Sequence, residues 1–408
     1  MKRIVVLGLA FTAGMVLVAP PAGAESGLDW AATWATSVQE PHALVSPAWA
    51  VEGFDNDTVR QVLRISTGGP AVRVRLSNAH SSTALKVGGA TVAVAAEGAA
   101  VRRDTLRHLT FGGKRTVVVP AGGEIVTDLA LLPVAPLQRL SVTLYFPTGT
   151  GKVTGHTFAD ATSYHAAGDH RADVAAGAFG ETTQSFYYVS GVEVVDLSPR
   201  RNVVVAFGDS ITEGAGSAPD ANNRYPDELA ERLRGRVPVV NAGIGGNRVL
   251  NDSTCFGDSA VDRFARDALG QPDVRTVILL EGINDIGFSE IDFECAVPNP
   301  RVTAADVIAG YRKLIRQARA KGVRVIGGTL MPYKGSDYYR PQGEAVRDQV
   351  NAWIRTSGEF DGVADFDRAT VSPTDPDALN PAYDSGDHLH PNDAGHRAMA
   401  NAVDLASL

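Results

Sequence analysis

Hydrophobic positions change rhythm part-way along the chain. From about residue 30 to 195, apolar and polar residues largely alternate, as in 59–65, 72–76, 140–146 and 187–195, the period of a strand with one wet face. Glycine pairs at 68–69, 88–89, 112–113 and 122–123 mark turns between them, and no helical period stands out. This half is predicted to be an antiparallel β-sandwich of the jelly-roll kind. After Pro199 short, mostly apolar runs at 203–207, 237–241, 277–280, 323–327 and 363–366 read as strands buried on both faces. Between them lie helical stripes. In 304–321, Val307, Ile308, Tyr311, Leu314, Ile315 and Ala318 share a face, with Thr303 and Asp306 as caps and Gly322 as the stop. Val346, Val350 and Trp353 form another stripe. The alternation predicts an α/β fold, a parallel five-stranded sheet with helices on both faces.

The first residues change the picture of where the protein works. Lys2 and Arg3, an apolar stretch over 4–18 and the small residues Ala22-Gly23-Ala24 match a signal peptide cleaved before Glu25. The expected division is 1–24 signal peptide, 25–199 sandwich and 200–408 α/β domain, in a secreted protein without stable membrane insertion. A net charge of −8 offers no electrostatic reason to seek nucleic acid or an anionic membrane. In an oxidising compartment the two cysteines, Cys255 and Cys295, are expected to form a disulfide.

Four polar motifs follow predicted strands or occupy the last loop, and in an open parallel sheet such strand ends gather in one crevice. Gly208-Asp209-Ser210-Ile211-Thr212 places a serine in a turn at a strand end, beside backbone N–H groups of a following helix. The 241–247 segment, Asn-Ala-Gly-Ile-Gly-Gly-Asn, lets backbone approach a substrate oxygen, and Arg248 breaks the dinucleotide-binding spacing. Gly282-Ile283-Asn284-Asp285 offers an amide donor. Asp387-His388-Leu389-His390-Pro391 offers a base with an orienting acid three residues earlier, Asp384 being the rival orienter. Alone, each has a plain reading as loop chemistry. His388, His390 and His396 with Asp387 also permit a metal reading, which leaves the other three motifs unexplained.

Taken in order, GDSIT, the glycine–asparagine loop, GxND and DxxH followed by Pro resemble the four blocks of the SGNH, or GDSL-type, hydrolases, over about 203 to the C-terminus. LEGINDIG from Leu280 and AYDSGDHLHPNDAGHRAMA from Ala382 further resemble a secreted arylesterase-like or carbohydrate-esterase-like branch that carries a β-rich N-terminal domain. The resemblance implies an SGNH-type three-layer fold, Ser210 as nucleophile, and Asp387 and His390 as its partners. Ser210, Gly246 (with Gly243 as the alternative) and Asn284 would be the oxyanion donors, with no metal or organic cofactor. The expected substrate is a small-molecule or carbohydrate ester with a short acyl group. A lipase or phospholipase is the rival within the superfamily, although no apolar lid helix is evident. A carbohydrate-binding protein with a silent second half is the rival outside it, and an intact Ser210, Asp387 and His390 count against silence. Trp30, Trp34 and Trp49 are sugar platforms in that reading and buried core in the commoner one. The sandwich is either an independent module or one wall of the catalytic crevice, and truncation near Pro199 separates the two.

Overall fold

Valine-rich strands of the first half pair into two main antiparallel sheets and two two-stranded ones, seen in a computed structural model that describes residues 27–44, 47–197, 202–291 and 293–408. One sheet has the order Trp30–Ala35, Val189–Val195, Val72–Ser77, Glu124–Val126. The other runs Glu181–Thr183, Ser163–Ala167, Asp57–Arg64, Arg139–Phe146, Gly89–Val94, Arg107–Leu109. Val74, Leu76, Val192 and Val194 of the first meet Val59, Leu63, Val142 and Leu144 of the second in one core, the face-to-face packing that two half-apolar sheets require. The signal-peptide segment and the division at 199/200 fall outside the described residues.

Two expectations for this half need correction. The strand Asp57–Arg64 has no wet face: Arg60 and Gln61 are fully buried. Arg60 donates to Ala99 O at 2.6 Å and Asp173 O at 2.7 Å, with its guanidinium 4.2 Å from the Phe179 ring centre. Gln61 exchanges bonds with the Tyr187 backbone. Polar side chains thus pair with backbone of covering segments, which alternation cannot distinguish from solvent exposure. The glycine pair 88–89 does not turn the chain either. Gly89 opens a strand, where a Cβ would stand 2.7 Å from the Arg171 side chain. Trp30, Trp34 and Trp49 are buried, so none is a surface platform.

In the second half five strands form an all-parallel sheet in the order Val239–Gly243, Val203–Gly208, Val274–Leu280, Arg324–Gly328, Gly362–Ala364. The chain leaves Val203–Gly208 for one neighbour and later returns to the other. Its carboxyl end is therefore the topological switch point, where a crevice opens in such sheets. Helices cover both faces, and Ala304–Ala320 begins with the capping box of Thr303 and Asp306 that its sequence predicts. Among the described residues no helix is long and apolar enough to cross a membrane.

The two halves share surface. Ala31, Ala32 and Ala35 join the core of the parallel sheet, while Trp34 points into the sandwich. Small side chains let this strand lie close to the Val239–Gly243 edge, and Ser66 Oγ accepts from Val239 N–H at 3.1 Å.

Candidate active site

At the switch point Asp209 caps the short helix Ser210–Glu213, its Oδ1 accepting from Ile211 N–H at 3.0 Å. Only glycine fits before it, because a Cβ on Gly208 would lie 2.1 Å from Leu280 O and 2.3 Å from Thr212 Oγ1. Ser210 Oγ is 2.8 Å from His390 Nε2, and His390 Nδ1 is 2.5 Å from Asp387 Oδ2. The other oxygen of Asp387 accepts from the N–H groups of Leu389 and His390, each at 2.9 Å, and from Ser385 Oγ at 3.1 Å. Burial alone would raise the Asp387 carboxyl. The His390 ring and these backbone donors outweigh it and hold the group well below the usual carboxylate range. An acid that stays ionised fixes the imidazole with Nδ1 protonated and leaves Nε2 facing the serine.

Asp384 does something else. It bonds His388 Nδ1 at 2.5 Å and the N–H groups of Gly386 and His388, so the loop carries two separate acid–histidine pairs. His396 is buried, its Nε2 3.3 Å from Ala215 O, and burial pulls it down to about 4. Among the described residues no three His, Cys, Asp or Glu side chains converge as a metal site would require.

The geometry also separates the two candidate glycines. The Gly243 N–H is engaged by Asn241 Oδ1 at 2.9 Å. Gly246, in the left-handed region at φ +73°, has no partner for its N–H among the described residues. The Asn284 amide donates one hydrogen to Asn247 O at 2.9 Å, which keeps its second N–H available and its plane fixed. Asp285 anchors the same loop by accepting from Val249 and Leu250 N–H at 2.7 and 3.1 Å. Cys255 and Cys295 are joined as a disulfide. It ties the segment carrying Phe256, whose ring sits where a Cβ of residue 246 would be, to the segment following Asn284. Phe256 stacks on Phe288 and Phe293, with ring centres 5.5 and 5.7 Å apart.

The model of the GDSL-like Lipase/Acylhydrolase family matches residues 206–398, the stretch that holds all of these groups. Residues 206–398 form a GDSL-like lipase/acylhydrolase domain. Solved structures similar to it include an acetyl xylan esterase (21% identity, 49% of this chain and 96% of that one, TM-score 0.38). Others are an acetylxylan esterase mutant from Geobacillus stearothermophilus (21%, 50% and 91%, 0.38) and a GDSL-like lipase from Bacteroides thetaiotaomicron (19%, 51% and 87%, 0.37). No curated protein matches the chain.

Around the acylhydrolase site stand residues that sequence reasoning missed. Arg263 is fully buried and donates to Gly208 O at 2.8 Å, Ala242 O at 2.8 Å and Asn247 Oδ1 at 2.8 Å. One guanidinium thereby fastens the ends of two strands and the glycine loop, and Ser37 of the sandwich lies 3.2 Å from it. In sequence Arg263 and Asp267 look like an ordinary surface pair four apart on a helix, and no local signal marks them otherwise. Buried acids surround the turn that carries Ser210. Burial pushes Asp209 up to about 7, against the Ile211 bond and the His390 charge, and Asp285 up to about 6. Glu281 is driven well above its usual range by burial and by Asp209, with Arg263 3.7 Å away opposing. The sandwich contributes as well: His156 Nε2 meets Glu213 Oε1 at 3.1 Å, and both side chains are buried. Gln39 Nε2 donates to Cys255 O at 2.8 Å.

Proposed function

We propose that this chain is a secreted serine esterase that removes short acyl groups from aryl, alkyl or carbohydrate alcohols through an acyl-enzyme. The observation that carries the reading is the continuous chain Ser210 Oγ–His390 Nε2, 2.8 Å, and His390 Nδ1–Asp387 Oδ2, 2.5 Å, at the switch point. Ser210 attacks the ester carbonyl while His390 accepts its proton, and Asp387 stabilises the imidazolium. The negative oxygen of the tetrahedral intermediate is held by the N–H of Ser210, at a helix start with no intrahelical partner, the N–H of Gly246 and the remaining N–H of Asn284. His390 returns the proton to the departing alcohol, then activates water to release the acid.

A short acyl group is favoured by the aromatic packing of Phe256, Phe288 and Phe293, which fills the space between the loops of Gly246 and Asn284. Secretion is supported by the disulfide, a bond that persists in oxidising compartments. Hydrolysis of p-nitrophenyl esters from acetyl to palmitoyl, run beside Ser210→Ala, tests the reading. Turnover is expected for the shortest chains and should fall at least about 10⁴-fold in the variant. Near-equal turnover in the variant overturns the assignment of Ser210, and a maximum at long chains overturns the short-acyl reading.

A further inference from the structure

Besides residues 37–39, the β-rich half reaches the crevice through residues 155–160, whose side chains divide into those that hold the fold and those with fewer partners. His156 is used up: Nδ1 bonds Ser37 O at 2.8 Å and Nε2 meets Glu213. Phe158 is half-buried, and its ring lies 3.2 Å from where a Cβ on Gly245 would stand, beside Gly246. Asp160 is also half-buried, with its backbone in the left-handed region at φ +47°. The turn is pinned on both sides, since Ala159 O accepts from Arg224 Nη1 at 3.1 Å and Asp160 O from Asp220 N–H at 2.9 Å.

Its carboxyl is another matter. Three neighbouring acids have donors: Asp220 has Thr162, Asp227 has Arg224, and Asp393 has Ala218 N–H and Asn223, while Glu213 lies 3.1 Å from His156 Nε2. The Asp160 carboxyl accepts no hydrogen bond from any described residue, although it lies within electrostatic reach of Glu213, Arg224, His156 and His390. Burial pushes it up to about 7, with Glu213 adding and Arg224 opposing. A half-buried acid to which no described residue donates, held in the left-handed backbone region within electrostatic reach of His390, is positioned to accept hydroxyl donors.

We propose that Asp160 and Phe158 form the alcohol-side subsite of the esterase, Asp160 accepting hydrogen bonds from hydroxyls adjacent to the ester and Phe158 offering its ring to the apolar face of a sugar. The inference rests on the proposed esterase function and narrows its substrate to monoacylated polyols and saccharides with free neighbouring hydroxyls. It also makes the β-rich half a specificity element.

The test compares kcat/KM on a methyl xyloside monoacetate and on p-nitrophenyl acetate for the full-length protein, Asp160→Asn, Asp160→Gly and Phe158→Ala. Asparagine and glycine both accept the left-handed backbone, so two independent variants carry the test of the carboxyl. The ratio of sugar-acetate to p-nitrophenyl-acetate kcat/KM is expected to fall roughly 10–100-fold in Asp160→Gly, mainly through KM, and by less in Asp160→Asn. An unchanged ratio in both Asp160 variants overturns the proposal. Wild-type activity on p-nitrophenyl acetate with none on the sugar acetate overturns it too and leaves the esterase reading standing. No wild-type activity on either ester overturns the esterase reading itself.

Discussion

Arg263→Met removes the charge at the hub of the site while keeping an unbranched side chain of similar length. Five hydrogen bonds from the guanidinium disappear: three of 2.8 Å, to Gly208 O, Ala242 O and Asn247 Oδ1, and two longer ones, to Ser37 Oγ at 3.2 Å and Asp267 Oδ2 at 3.4 Å. At about 1.5–3 kcal/mol for a bond to a charged group, the three short ones alone amount to at most roughly 9 kcal/mol. The structure lowers it: Gly208 O keeps the Ile244 N–H at 3.0 Å, and Ala242 O keeps Ser37 Oγ at 3.2 Å. Asp267 keeps Arg266, 2.7 Å away. Asn247 Oδ1 loses its guanidinium donor, and Glu281 loses its nearby positive charge. We expect a loss of about 3–5 kcal/mol, the range for removing one partner of a buried ionic cluster. In a domain of this size that is about 6–20 °C in Tm by calorimetry. Because Gly208 and Asn247 flank the proposed nucleophile and the proposed oxyanion loop, kcat on p-nitrophenyl acetate should fall about 10–100-fold at temperatures well below the new Tm. A variant that loses stability and keeps full kcat would refute the idea that Arg263 aligns the site. One that keeps its Tm would refute the energetic argument.

Asn284→Ala should lower kcat about 10²–10³-fold, measured by steady-state hydrolysis, since it removes one oxyanion donor; a tenfold loss or less argues that the amide serves only Asn247. Asp387→Asn should cost about 10⁴-fold in kcat by favouring the wrong histidine tautomer. Asp384→Asn, which touches His388 instead, should cost far less on the same ester, and equal losses would mean that both acids serve His390. Asp209 titrates near 7 when folded and near 3.9 when unfolded. The folded state holds its proton longer, so this contribution to stability is complete at low pH and is lost as pH climbs from about 4 to about 7. Asn at 209 keeps the Oδ1 acceptor for Ile211 and cannot ionise. Its Tm relative to wild type should therefore rise across that window and level off above it, and a pH-independent difference would contradict the burial argument.

How much could be read beforehand follows from the range over which each signal acts. Ser210, Asn284, Asp387 and His390 lie in short contiguous motifs at strand ends, and the parallel-sheet rule brings such ends together without knowledge of tertiary packing. The strand Val274–Leu280 and helix Ala304–Ala320 were visible for a similar reason, since unbroken apolar runs and a 3.6-residue stripe are local patterns. Arg263, Glu213 and Asp160 were hidden. Each has a partner far off along the chain, 55, 57 and 60 residues away, in Gly208, His156 and Asp220. The bond from Asn241 that occupies the Gly243 N–H is a side-chain contact that spacing does not encode. Arg60 failed in the opposite sense, as a charged residue in an alternating pattern became buried against carbonyls of distant segments.

The His156–Glu213 contact sets a condition on exchanging parts of this protein. Ser37 O can only accept, so His156 Nδ1 carries a hydrogen, and Nε2 stands 3.1 Å from the Glu213 carboxyl with both side chains buried. Glu213 is the last residue of the helix that Ser210 begins. A chimera that replaced the β-rich half with an unrelated domain would strand that carboxyl beside Gly245, one turn from the nucleophile, with the Arg263 and Cys255 contacts to Ser37 and Gln39 gone as well. Recombination in the laboratory, or in descent, must therefore carry residues 37–39 and 156–162 along with the hydrolase half, so the boundary that matters for inheritance of activity cuts through the sandwich and not between the two folds.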